Sequence, residues 1–276
     1  MQWTMINGEF HEAAKASLHI QDLSIQRGYG VFDFFKVQDS QPLFLEDHLK
    51  RFYHSASFMH LPLDAEELLK EQIFVFIRKN SITSCGIRLT LTGGYSNDGY
   101  TLGKPNLIIN SIPIQQPTAE AFQKGISLMT FEYNRQFPSV KTIDYMMAVW
   151  LQKRTRQEKA DDVLYYKNDS FTECPRSNFF LVIKDGVVIT PSDGILSGIT
   201  RKKILELAKG LFDVQTRMIT REDIHNAKEA FITSTTKIIL PVNRIDKKIF
   251  HTPGEVTTKI HGLIMKLQQE AVHASA

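Results

Sequence analysis

Cysteine is nearly absent from this chain. The two thiols in 276 residues, Cys85 and Cys174, are far apart and share no CxxC spacing, so neither a disulfide framework nor a zinc site is expected, and the compartment reads as reducing. Long apolar runs are missing too. No stretch approaches the ~18 residues of a membrane span, and the segment from Met1 to Leu18 is broken by Glu9, His11, Glu12 and Lys15, unlike the apolar core of a signal peptide. A cytoplasmic protein without a membrane partner is expected. Charge of one sign is also scarce, since 33 basic and 30 acidic residues leave a net +3. The dense basic patches, Lys153-Arg154 to Arg156 and Arg201-Lys202-Lys203, fall on predicted helices, where such charges are usually solvated. They lack the interleaved aromatics of a nucleic-acid footprint. A small anionic ligand fits this balance better. There is no internal repeat and no low-complexity segment.

What is present is ordinary globular composition, 42% apolar and 23% charged, in a chain long enough for two α/β domains. We expect an N-terminal domain over 1–112, a connector at 113–117 marked by Pro113 and Pro117, and a C-terminal domain over 118–276 that carries Lys141. In the first part, Asn7-Gly8 signals a hairpin turn, and Gly28-Tyr29-Gly30 precedes the β-rich run Val31 to Val37. Leu49, Phe52, Ala56 and Met59 recur at helical steps over 46–59, and a second helix is predicted over 64–79. The segments 86–92 and 106–112 read as strands, the first placing Arg88, Thr90 and Thr92 on one face. In the second part, strands are predicted at 126–131, 162–166, 171–173 and 230–233, with a hairpin of 178–184 and 187–190 around Asp185-Gly186. Helices are predicted from Tyr145 to Lys159 with Asp144 as cap, from Thr200 with the apolar face Ile204, Leu205, Leu207, Ala208 and Leu211, and from Thr252 to Gln269.

Lys141 stands in an irregular segment ahead of the apolar run Tyr145-Met146-Met147-Ala148-Val149, and Thr172-Glu173-Cys174-Pro175-Arg176-Ser177-Asn178-Phe179-Phe180 follows some thirty residues later. Alone, a lysine or a glutamate so placed is usually a solvated side chain. Six segments in order say more: 22–35, Phe44 to Phe52 with its HxxR at His48 and Arg51, the Lys141 and Glu173 segments, Ile195-Leu196-Ser197-Gly198-Ile199-Thr200-Arg201, and Phe231 to Thr236 running on to Pro241-Val242. Together they resemble the class IV, fold type IV pyridoxal-phosphate enzymes, which include D-amino-acid aminotransferases, branched-chain aminotransferases and aminodeoxychorismate lyases.

The resemblance implies a two-domain α/β (α+β) fold with pyridoxal 5'-phosphate in the interdomain cleft. It makes Lys141 the catalytic Schiff-base lysine and proton shuttle, and it gives Arg51 the cofactor phosphate. Glu173 becomes the anionic partner of the ring nitrogen and Tyr145 a donor to the phenolic oxygen. Ser177, Asn178, Leu196, Gly198, Ile199, Thr200, Ser234 and Thr235 complete the cofactor frame. The chemistry is coherent with those residue types. A lysine near pKa ~10.4 needs burial or a neighbouring cation to form an imine. A permanently charged guanidinium suits phosphate, helix N-terminal amides seat it, and an anion beside the ring nitrogen keeps it protonated.

The departures concern the substrate wall. Tyr29 stands in the family's Gly-Asp-Gly, Asp33 replaces its glutamate after the aromatic, Cys174-Pro175-Arg176 replaces a Gly/Ser-rich loop, and Ile238 replaces a glutamate after the Ser-Thr-Thr segment. Arg27, Phe32, Arg88, Arg176 and Thr236 are the expected substrate contacts. The Arg-x-His loop trap of the D-amino-acid branch is absent from 95–103, so Arg27 and Arg88 are expected to clamp carboxylate instead. The expected reaction is amino transfer between a D-amino acid and a 2-oxo acid such as 2-oxoglutarate or pyruvate, in a homodimer. Aminodeoxychorismate lyase, a branched-chain L-amino-acid aminotransferase and a non-catalytic phospholigand-binding protein stay open as alternatives.

Overall fold

A computed structural model describes residues 2–273. In chain order the elements are β1 (Trp3–Ile6), β2 (Glu9–Glu12), α1 (Leu23–Arg27), β3 (Gly30–Gln38), β4 (Gln41–Pro42), α2 (Leu45–Phe58), α3 (Glu66–Lys79), β5 (Ser84–Thr92) and β6 (Leu107–Ile112). They continue with α4 (Ala119–Lys124), β7 (Ile126–Glu132), α5 (Met146–Gln157), β8 (Asp162–Lys167), β9 (Ser170–Phe171), β10 (Glu173–Cys174), β11 (Ser177–Val182), β12 (Val188–Thr190) and α6 (Ile199–Ala208). The chain closes with β13 (Val214–Thr216), α7 (Arg221–Asn226), β14 (Glu229–Ser234), β15 (Ile238–Ile245), β16 (Lys248–Ile249) and α8 (Glu255–His273). Two compact units emerge. The first takes the chain through Ile114 together with Val140–Asp144 and the end from Glu270, and the second takes Gln115–Ser139 and Tyr145–Gln269.

The first unit is a six-stranded sheet in the order β2-β1-β6-β5-β3-β4, every pairing antiparallel. Alternation decides its faces. Val31, Asp33, Phe35 and Val37 of β3 are fully buried on one face, where Leu49, Phe52 and Ala56 of α2 join the same core. Each fully buried side chain of that size contributes about 1.5–3 kcal/mol. Phe32, Phe34 and Lys36 face the other way. Short α1 escapes the periodicity argument because five residues make little more than one turn. Its ends are nevertheless legible: Asp22 accepts from Ser24 N at 2.8 Å, and Gly28 closes the helix in the left-handed region at φ 64. The other oxygen of buried Asp22 accepts from Thr92 Oγ1 and Asn106 Nδ2, each at 2.8 Å, which ties α1 to the sheet.

Lys141 groups with this first unit rather than with the C-terminal half of the chain. Val31 bridges Thr142, Phe32 N donates to Lys141 O at 2.9 Å, and Ile143 N donates to Gly30 O at 3.1 Å. The segment expected to be irregular is thus held along the start of β3.

The second unit is built on a sheet whose main path is β13-β12-β11-β14-β15-β7-β8-β9, with β10 on β11 and β16 on β15. Strands β7, β8 and β15 pair in parallel and the β10-β11-β14-β15 stretch is antiparallel. The strand expected over 171–173 is broken in two: Phe171 pairs with β8, while Glu173 pairs with Asn178 of β11. The hairpin joining β14 to β15 closes at Ser234 and Ile238, and Ile238 takes φ 58, a left-handed conformation that is strained for a β-branched residue. Helix α5 begins at Met146, with Tyr145 rather than Asp144 at the cap position and no cap bond from the Tyr145 side chain. Helix α6 starts one residue before Thr200 and ends at Ala208, which leaves Leu211 62% exposed rather than on the buried face.

Candidate active site

In the first unit, the side chains of the site hang on four segments: β3, α2, β5 and Val140–Asp144. Asp33 is completely buried, and Arg51 grips it with a fork, Nε to Oδ2 and Nη2 to Oδ1, both at 2.8 Å. His48, one turn earlier on α2, lies with Nδ1 2.7 Å from Oδ1 of the same carboxylate. Burial by itself would raise the Asp33 carboxyl, but the Arg51 guanidinium and the His48 contact outweigh it and hold Asp33 well below the ordinary carboxylate range. Burial pushes the His48 imidazole below its usual value, against the pull of Asp33. His48 is therefore a neutral donor at pH 7, and the charge balance of the group is one carboxylate against one guanidinium. The fork fixes where Arg51 can present its remaining N–H groups.

Phe32, on the opposite face of β3, organises two cations. The Lys141 Nζ lies 4.6 Å from the ring centroid and the Arg88 Cζ 4.3 Å from it, both within reach of the ring quadrupole. Arg88 is steadied by Nε donating to Thr90 Oγ1 at 3.3 Å. The structure thus brings together three of the expected residues, Lys141, Phe32 and Arg88. Arg27 is different. It is exposed at the end of α1, with Nη1 donating to its neighbour's carbonyl, Gln26 O, at 2.9 Å.

In the second unit, Glu173 is 4% exposed and receives three donors: Arg135 Nη1 at 3.0 Å, Leu196 N at 3.0 Å and Asn178 Nδ2 at 3.2 Å. Asn178 Nδ2 also donates to Leu196 O at 2.8 Å, locking the β10-β11 hairpin to the loop before α6. These bonds favour the ionised carboxylate. Gly198 caps α6, and a Cβ there would strike Asn178 Oδ1, so only glycine admits this approach. Ile199 and Thr200, both buried, form the first turn of α6, whose leading amides have no intrahelical acceptor. Ser234 Oγ accepts from Lys237 N at 3.1 Å and approaches Thr236 Oγ1 at 3.4 Å, while Lys237 Nζ reaches Asp162 at 3.1 Å, pinning the turn that includes Thr235. Two buried hydroxyls, Ser177 Oγ and Thr233 Oγ1, lack a hydrogen-bond partner among the described residues. Orphaned buried hydroxyls are costly unless something else satisfies them. Arg176 is exposed in the turn from β10 to β11.

The first unit offers an amine, suited to an aldehyde, and a fixed guanidinium, suited to a phosphate; the second offers helix-terminal amides, also suited to a phosphate, and a buried anion, suited to a ring nitrogen. The sequence profile of the family described as amino-transferase class IV matches residues 30–245, most of the chain. The chain belongs to the class IV aminotransferase family. The family's cofactor is pyridoxal 5'-phosphate, and the residues present fit it. The D-alanine aminotransferase of Bacillus licheniformis is 28% identical over 267 residues, 93% of each chain. A putative branched-chain-amino-acid aminotransferase of Methanocaldococcus jannaschii is 29% identical over 271 residues, 92% of each. Among solved structures, the branched-chain amino acid aminotransferase of Escherichia coli superimposes with a TM-score of 0.89 at 28% identity, covering 97% of this chain and 94% of that one.

His48, Ser55 and Arg135 shape the site of this aminotransferase without having been assigned a role from sequence, and Asp33, expected in the substrate wall, is instead buried on the core face of β3 in the Arg51 fork. Asp33 and His48 carried a signal, since an acid on the core face of a strand must find a partner and HxxR on the facing helix supplies it. Ser55 and Arg135 carried none, because their partners Lys141 and Glu173 lie 86 and 38 residues away in sequence. Arg201, grouped with the solvated helix charges, instead donates to Thr190 Oγ1 at 3.2 Å and Pro191 O at 2.8 Å. Tyr29, in the Gly-x-Gly, donates its hydroxyl to Met59 O at 2.8 Å and ties that turn to the end of α2.

Proposed function

We propose that this aminotransferase moves an amino group between a D-amino acid and a 2-oxo acid such as 2-oxoglutarate or pyruvate, with Lys141 as the cofactor-bearing and proton-shuttling residue. Bound pyridoxal phosphate supplies the electron sink. Arg51, the α6 amides of Ile199 and Thr200, and the Ser234 and Thr235 hydroxyls take its phosphate. Glu173 holds its ring nitrogen protonated, Tyr145 donates to its phenolic oxygen, and Ser177, Asn178, Leu196 and Gly198 shape the frame. The observation that carries the substrate reading is the Arg88 guanidinium stacked on the same ring as the Lys141 amine. A cation so close to the reacting amine favours a substrate carboxylate there, and the D-alanine aminotransferase relative favours the D-series. Arg27, Arg176 and Thr236 complete the proposed substrate contacts.

A second reading, a branched-chain L-amino-acid aminotransferase, is favoured by the Methanocaldococcus jannaschii relative and the Escherichia coli structure. Half-reaction rates with D- and L-alanine, D- and L-glutamate and L-leucine separate the two. The D-substrates should react fastest, and Arg88→Ala should lose roughly 10–100-fold in kcat/KM, as expected for one charge-assisted carboxylate bond of about 1.5–3 kcal/mol. Faster turnover of L-leucine, or an Arg88→Ala enzyme that saturates as wild type does with every carboxylate, rejects the D-series reading. Pyruvate release from aminodeoxychorismate without an amino acceptor would identify a lyase.

The reading includes a homodimer in the cytoplasm. It is supported by an apolar stripe on α5, where Met146, Val149 and Trp150 are 77%, 62% and 66% exposed at helical spacing. Among the described residues no helix is long and apolar enough to cross a membrane. Light scattering should give twice the chain mass, and Trp150→Glu should shift the protein toward the monomer. A stable, fully active monomer contradicts the dimer.

A further inference from the structure

Helix α2 presents His48, Arg51 and Ser55 at i, i+3 and i+7, a single stripe of its surface. Two of these are already tied to β3 through Asp33. The third does something else: Ser55, with none of its surface exposed, accepts the backbone N–H of Lys141 at 3.2 Å. The carbonyl of the same residue accepts from Phe32 N at 2.9 Å. Both backbone groups of Lys141 are therefore held, one by the helix that carries Arg51 and the other by the strand whose Phe32 ring meets its amine. We propose that Ser55 is a positioning residue for Lys141, fixing the backbone from which the amine projects, so that α2 sets the placement of the phosphate-binding arginine and of the cofactor-bearing lysine together. The inference rests on the assignment of Lys141 made above.

The reason to expect a functional effect is geometric. A serine in mid-helix has a local alternative, its own helix carbonyl four residues back, and nothing in helix stability requires it to reach a segment 86 residues away. Without the hydroxyl, the part-buried Lys141 amide loses this bond, and the lysine backbone can shift by the fraction of an ångström that reaction geometry does not tolerate.

The test uses the full chain, first without cofactor. In Ser55→Ala, hydrogen exchange of a peptide covering 140–144 should quicken by about tenfold, as the Lys141 amide loses its bond to the Ser55 hydroxyl. Capture of pyridoxal 5'-phosphate on Lys141, followed by absorbance and by borohydride trapping with peptide mass analysis, should slow by roughly tenfold per folded molecule. Ser55→Thr, which keeps the acceptor oxygen, should recover most of both, whereas a purely packing role predicts that the added methyl worsens them. Should Ser55→Ala not fold, Ser55→Cys, of similar volume with a weak sulfur acceptor, carries the same expectation. Exchange and capture within twofold of wild type in the variant lacking the hydroxyl overturn the proposal. A wild-type protein that takes up no cofactor on Lys141 overturns the proposed function instead, and the exchange measurement still decides whether Ser55 holds the Lys141 backbone.

Discussion

Lys141→Ala should remain folded and lose all covalent attachment of pyridoxal phosphate. The expectation of an intact fold follows from the bonding: Lys141 is held through its backbone, N to Ser55 and O to Phe32, and neither bond uses the side chain. Its amine contributes the contact with the Phe32 ring, worth about 0.5–2 kcal/mol depending on solvation. The melting temperature should therefore move little. Function should change far more. In the proposed function the amine is both the attachment point and the base that moves the substrate α-proton, and a positioned base alone contributes roughly 10²–10⁴-fold. Wild type treated with borohydride in the presence of cofactor should show the added mass on the Lys141 peptide, and the variant on no peptide. Mass retained on another lysine, or turnover within tenfold of wild type, would place the chemistry elsewhere.

Asp33→Asn should cost more stability than any other conservative change at the site. The carboxylate is fully buried and takes both arms of Arg51, the His48 Nδ1 contact and the N–H of Phe34 at 2.7 Å. Removing its charge leaves a guanidinium whose side chain is only 9% exposed without its carboxylate, and breaking a buried pair in this way costs about 3–5 kcal/mol. Phosphate affinity should fall with it, because Arg51 loses the fork that aims it. The pH dependence gives an independent check. Since the native carboxyl sits below its unfolded value of about 3.9, its contribution is fully present above that value and is lost as pH falls toward the native one. Wild type and Asp33→Asn should thus differ most at pH 6–7 in denaturant unfolding, and the gap should narrow from about pH 4 downward. A gap under 1 kcal/mol at neutral pH, or one that widens in acid, would show that the pair is not a net source of stability.

The proposed cofactor frame could be drawn from sequence because each of its chemical demands selects a residue type that stands out locally. Lys141 precedes an apolar helix, HxxR lies on a helix with a clear apolar stripe, Gly198-Ile199-Thr200 opens a helix, and Glu173 ends a short strand. Periodicity located α2, α3, β5 and most of the second sheet for the same reason, since burial of one face imposes a period of 3.6 or 2 on the chain itself. Elements without such a period were missed. These include five-residue α1 and six-residue α4 and α7, and α5 starts at Met146 rather than at Tyr145.

Sequence alone therefore determined the family and the cofactor and singled out Lys141 for the proposed Schiff-base role, because those rest on local residue chemistry repeated in a fixed order along the chain. Tertiary structure alone decided which side chains serve the others. Asp33 holds Arg51, Arg135 meets Glu173, Ser55 meets the Lys141 amide, Arg88 shares the Phe32 ring with the Lys141 amine, and the Lys141 segment itself groups with the first unit. Each of these is a contact between segments far apart in sequence, set by strand register and helix packing. A one-residue slip would turn strand side chains to the opposite face and rotate helix side chains by about 100°, so no local pattern in the chain could have announced them.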